Sequence, residues 1–172
     1  MAGSCKSLQG TFALHKGNLK EVHHHLKEAH ILFEKLNHHH PEVGEILLKS
    51  GDLESKAGNF ENAKLIIEEA LEIFISTCRK VSLQTGLAYL QDASILQRKG
   101  KFVCSALDNG KIANDIFVHH GLHHDHPDVA FCHYLLGQLL HSLGQVKETE
   151  EEFLFVHHQL LSRDDLSMKT KV

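Results

Sequence analysis

The sequence predicts an all-α fold, an α-solenoid of about four helix–turn–helix repeats. Three observations carry this reading. First, a small residue and a glycine seven positions later recur four times, as Gly10/Gly17, Gly51/Gly58, Ala93/Gly100 and Gly137/Gly144, with offsets of 41, 42 and 44 residues between copies. Second, apolar residues beyond each turn fall at helical spacing, as in Ala63, Ile66, Ile67, Ala70, Leu71, Ile73 and Phe74. Third, only two prolines occur in 172 residues, so long helices are permitted nearly everywhere. Self-similarity at a fixed period is the signature of a stacked array in which no unit buries its apolar face alone.

The repeats are expected at about residues 3–37, 40–80, 82–121 and 126–161, followed by a polar tail at 162–172. The first turns at Lys16-Gly17-Asn18-Leu19 and places Val22 where the other copies carry a small residue. The second opens on His40-Pro41-Glu42-Val43 and turns at Ala57-Gly58-Asn59-Phe60. Proline followed by an acid suits a helix start: the missing N–H would be orphaned there, and the carboxylate faces the positive end of the helix dipole.

The third repeat lacks that start and begins near Ser82-Leu83-Gln84. It turns at Lys99-Gly100-Lys101-Phe102, and Asn109-Gly110 interrupts its second apolar pattern, which predicts a locally irregular helix. The fourth repeats the start as His126-Pro127-Asp128-Val129 and turns at Leu143-Gly144-Gln145-Val146, with Thr149 at the small position. In each turn a glycine can take positive φ and let the chain reverse. The small residue seven earlier sits where the two helices of a hairpin cross closely. No capping helix is evident, so either Glu148, Glu150, Glu151 and Glu152 make the last helix its own cap, or the chain is part of a longer array.

The Gly…Gly-Asn-Phe…Ala…Ala frame resembles the tetratricopeptide repeat (TPR). Its period near 42 and the segment Asp125-His126-Pro127-Asp128-Val129-Ala130 resemble the kinesin light chain class, over about residues 3 to 160. The chain departs from that class in having no tryptophan and in placing Glu54 at a usually aromatic position. The resemblance implies a protein–protein interaction scaffold or adaptor whose first helices line a concave groove for a peptide or partner protein. Carried over position by position, it implies groove positions at Glu45, Leu48 and Asp52, at Leu87, Leu90 and Ser94, and at Phe131, Tyr134 and Gln138. Arg98 lies in the middle, and Lys49, Lys56, Gln97 and His141 near the rim. This mixed set suits a peptide with one or two hydrophobic side chains. It lacks the several Lys and Asn residues with which chaperone-tail binders clamp a carboxylate.

Composition narrows the alternatives. A net charge of −4 without a basic run gives no footprint for nucleic acid. No apolar stretch reaches bilayer length, no signal core opens the chain, and Cys5, Cys78, Cys104 and Cys132 form no CxxC pair. A cytoplasmic protein with reduced, buried thiols is expected, and no cofactor. No GxSxG, P-loop, GxGxxG or HExxH motif occurs, and Cys132 and His133, adjacent on a helix, point about 100° apart and make no nucleophile–base pair, so an enzyme is not expected.

The 17 histidines cluster at 23–25, 38–40, 119–126 and 157–158. His119, His120, His123, His124, Asp125 and His126 are dense enough to make a zinc- or nickel-binding protein an alternative reading. His38–His40 lie about 20 Å from that loop, at roughly 10 Å per stacked helix layer, and cannot share its ion. Structural or solvated imidazole is the preferred account, and no metal site is assigned. A third reading is a fragment of a longer array that self-associates through uncapped end repeats.

Overall fold

Three helical hairpins follow one another along the described chain. The computed structural model describes residues 40–78, 80–100, 102–123 and 126–169, with His24, Glu28 and Ile31 besides. The six helices are α1 (Pro41–Lys56), α2 (Phe60–Thr77), α3 (Leu83–Lys99), α4 (Val103–His119), α5 (Pro127–Ser142) and α6 (Val146–Lys169). They pair as α1–α2, α3–α4 and α5–α6, and each hairpin packs on the next, with α3 also touching both α1 and α5. The expected repeat at 3–37 otherwise lies outside the described residues. The fold is an all-helical repeat solenoid, as the register of glycines predicts.

The turns form for the expected reason. Gly58, Gly100 and Gly144 have φ of 86°, 71° and 74°. At Gly100 the left-handed residue ends α3 directly, its N–H bonding back to Leu96 and Gln97 carbonyls. The starts involve more than proline and acid. His40 and His126 are themselves N-caps: each Nδ1 accepts the backbone N–H two residues on, at 3.3 Å. The third repeat uses a different device for the same end, with the Ser82 hydroxyl accepting from Thr85 N–H at 3.1 Å.

The small residues do set helix approach. A Cβ on Gly51 would lie 2.5 Å from Ile67 Cδ1, one on Gly137 would lie 2.6 Å from Phe153 Cε1, and Ala93 is fully buried. A second small position a heptad earlier behaves alike: a Cβ on Gly44 would meet the Phe74 ring at 2.6 Å, and one on Gly86 would meet Ile116 at 2.9 Å.

Two expectations need correction. The helix across Asn109-Gly110 is continuous, because both residues have tertiary work. Gly110 faces Leu136, 2.8 Å from where its Cβ would stand, and its carbonyl accepts the Cys132 thiol at 3.3 Å. Asn109 reaches back to α3. The last helix also runs past Leu161 to Lys169, since the segment 162–169 has neither proline nor glycine to stop it.

Two hydrophobic clusters form the core, and α3 belongs to both. Ala88 and Ile95 join the cluster built on Val43, Ile46, Leu47, Ile67 and Phe74, whereas Leu90, Ala93 and Leu96 join the one built on Phe117, Cys132, Leu135 and Leu139. Filling a tight crossing should cost more than relaxing a turn. Gly51→Leu is expected to destabilise by about 2–3 kcal/mol through overpacking, and Gly100→Ala by about 1–2 kcal/mol through left-handed strain. Urea denaturation followed by circular dichroism measures both, and equal stability of either variant with wild type would contradict the assignment. His126→Ala should cost about 0.5–2 kcal/mol, and His126→Asp should restore most of it because a carboxylate also caps.

Candidate functional site

The first helices of the hairpins, α1, α3 and α5, share a face. Between them lies a cleft of about 380 Å³ lined by Asp52, Ser55 and Lys56 of α1, Leu87, Leu90, Gln91, Ser94, Ile95 and Arg98 of α3, and Asp128 and Phe131 of α5. The helical period places these side chains together: Leu87, Leu90, Gln91, Ser94 and Arg98 follow a three–four spacing along one stripe of α3. The cleft spans three successive first helices.

Of the residues expected there, the structure brings together Asp52, Leu87, Leu90, Ser94, Arg98 and Phe131. Leu48 is a correction: it is 7% exposed and packs in the first core cluster. Helix α1 is wedged between α2 and α3, so five of the six residues from Val43 to Leu48 turn inward and only Glu45 faces out. Glu45 is exposed but stands outside the cleft lining. Leu90 lines the cleft yet is only 3% exposed, which makes it floor rather than anchor.

Tyr134 and Gln138 lie beyond the cleft lining, on α5. Gln97 donates to Gln138 at 2.8 Å, and Gln138 donates to the Tyr134 hydroxyl at 2.8 Å, a ladder joining α3 to α5. Phe131 and Tyr134 remain 45% and 44% exposed, the large apolar surfaces on this side. Arg98 makes one long contact, Nη1 to Ser55 Oγ at 3.4 Å, while Lys56 is paired with Asp52 at 2.6 Å. Ser55, Gln91, Ile95 and Asp128 line the cleft without being expected there from sequence, because nothing in their spacing distinguishes a cleft wall from other helix faces.

The other candidate residues divide. Among the described residues no three His, Cys, Asp or Glu side chains converge on a point that could hold a metal ion, and His124 and Asp125 lie outside that set. His126 caps α5, His120 bonds the Val81 carbonyl at 2.9 Å, and His133 bonds Glu152 at 2.5 Å while stacking on Phe155. Glu152, expected in a solvated cap, therefore turns toward α5. The thiols among the described residues are free but not uniformly buried: Cys132 is buried, Cys78 half-buried and Cys104 exposed. Burial pushes the Cys132 thiol up to about 12, helped by the negative charge of Glu152. Among the described residues no helix is long and apolar enough to cross a membrane.

A stack of such hairpins, with a cleft across its first helices, has the fold of a TPR-like repeat solenoid. No family model and no curated protein matches the sequence. Solved structures do: BtubC (BKLC) from P. vanneervenii superposes with a TM-score of 0.79 at 16% identity, over 94% of this chain and 64% of that one. A putative kinesin light chain of P. anserina with nearly identical TPR-like repeats superposes at 0.68 and 17%, over 94% and 76%. A singly substituted form of that protein gives 0.71 and 16%, over 95% and 76%. The chain thus spans about two thirds to three quarters of these neighbours, and the likeness is one of fold.

Thiol chemistry offers a direct check. Iodoacetamide should modify Cys104 readily in the native protein and leave Cys132 intact until denaturant is added. Mass spectrometry of tryptic peptides reads this, and native alkylation of Cys132 would contradict its place in the core.

Proposed function

We propose that the protein is a non-enzymatic interaction scaffold that holds an extended peptide or partner segment in the cleft across α1, α3 and α5. The observation that carries this reading is the cleft itself. It is continuous over three hairpins, with the exposed Phe131 at one side, an apolar floor of Leu87 and Leu90, and Arg98 carrying only one long bond to Ser55. Rigid aromatic surface beside an underused guanidinium favours a segment with one or two apolar side chains and polar backbone to spare. TPR-like folds generally mediate protein–protein contact, which agrees with this use.

The test selects peptides from a displayed random library on wild type and measures them on three variants. Phe131→Ala, Arg98→Glu and Ser94→Trp alter the cleft without touching its buried floor, whereas Leu90→Asp would place a charge in the core. Loss of at least about tenfold in affinity for the selected peptides is expected from each. Peptides that bind all three variants as they bind wild type would remove the cleft from consideration.

A second reading is favoured by α6, where Val146, Leu154, Leu160 and Leu161 are exposed along the outer side of the last hairpin. Helix α4 covers its corresponding face with α5, and among the described residues α6 has no such neighbour, so this end would stack on further repeats or on a second copy. Sedimentation equilibrium across a hundredfold concentration range decides it, a constant monomer mass counting against self-association.

A further inference from the structure

The opposite side of the solenoid carries a different cleft, of about 490 Å³, formed where α2 and α4 flank α3. At its base is Asp92, 6% exposed. One carboxylate oxygen accepts from Asn109 Nδ2 at 2.7 Å, and the other, Oδ1, has no hydrogen-bond partner. Burial raises the affinity of this carboxyl for its proton, opposed by the charge of Lys64. A buried carboxylate with half its acceptor capacity idle costs stability that the fold does not recover through its own hydrogen bonds.

The cations already in the cleft are engaged elsewhere. Lys64 hydrogen-bonds Glu68, and Lys99 pairs with Glu61 at 2.5 Å while lying 5.3 Å from the Phe102 ring centroid. With two lysines against Glu61, Glu68 and Asp92, the cleft retains one negative charge when Asp92 is ionised. Its lips are apolar: Leu65 and Phe102 are both exposed there.

We propose that this outer cleft is a second binding site, one that takes the ammonium group of a partner protein's lysine side chain. The Asp92 carboxylate receives the charge by a turn of its side chain that brings the buried Oδ1 to the cleft base, and Leu65 and Phe102 pack the alkyl stem. The geometry favours ammonium over its rivals. A guanidinium binds best through both carboxylate oxygens, and Asn109 occupies one of them. A divalent cation needs several ligands, and no such group exists among the described residues. The exposed apolar lips suit a side chain presented on a protein surface more than a free amine. This site is independent of the peptide cleft, with which it shares no lining residue.

The experiment titrates the full chain with the peptide acetyl-Gly-Lys-Gly-amide, with its Nε-acetyl form, and with butylammonium, following ¹H–¹⁵N NMR shifts. The lysine peptide should give saturable shifts that include the Asn109 side-chain amide. Asp92→Asn should weaken binding at least about tenfold, as should filling the cleft by Ser105→Trp at an exposed position. Phe131→Ala, in the other cleft, should change nothing. Asp92→Asn should also raise Tm at neutral pH, because it removes the penalty on a buried charge and keeps the bond to Asn109. A lower Tm would show that the carboxylate is already matched by a cation of the chain, and would overturn the proposal. Equal shifts from the acetylated peptide, or unchanged binding in Asp92→Asn, would overturn it too, and tighter binding of butylammonium than of the peptide would overturn the assignment to a protein partner.

Discussion

The distance at which the two helices of each hairpin cross governs the rest of the molecule. Along α1 and α3 that distance is set twice, a heptad apart, by Gly44 with Gly51 and by Gly86 with Ala93, and Gly137 sets it on α5. At each glycine a side chain from the second helix occupies the space a Cβ would need: Phe74 and Ile67 in the first hairpin, Ile116 and Phe117 in the second, Phe153 in the third. Close crossing lets large side chains interdigitate over small ones at organic-crystal density. It also fixes the tilt of the first helices, and with it the spacing of the side chains that they present on either side.

Helix α3 bears the effect most directly. It is buried on two flanks, by one cluster that includes Ala88 and Ile95 and by another that includes Leu90, Ala93 and Leu96. What remains of its circumference is two strips. One carries Leu87, Ser94 and Arg98 toward the neighbouring first helices, and the other carries Asp92 and Lys99 toward the second helices. The two clefts are thus the two sides of one helix. Their walls differ: α1 and α5 contribute Asp52, Ser55, Lys56, Asp128 and the aromatic Phe131, whereas α2 and α4 bring Glu61, Lys64, Leu65, Glu68, Ser105 and Asn109.

Much of the fold was legible because glycine at a turn and small residues at a crossing are demanded by backbone geometry, which leaves a mark at fixed spacing. The starts at Pro41 and Pro127 were legible for the same reason, although the capping role of His40 and His126 was not, since histidine is a rare cap. Asn109-Gly110 points to local irregularity because helix propensity is local, whereas in the fold Gly110 makes room for Leu136 and Asn109 holds Asp92. The cleft across the first helices was partly legible through the repeat frame. Leu48 failed because sequence spacing gives a direction around the helix but not the width of the buried stripe. Asp92 left no signal at all, for a lone acid in a helix reads as solvated until its neighbours across two other helices are known.

The division of the core at α3 also bears on mechanics. Among the described residues the main contacts join consecutive helices, with weaker ones between the first helices of neighbouring hairpins. Tension applied along the stack would therefore load one interface at a time instead of the whole core at once. The clusters on either side of α3 would act as springs in series. Such a chain stretches, bends and recoils by small changes at each junction, so a bound segment lying across α1, α3 and α5 would act as a splint, stiffening the coil along the length it covers.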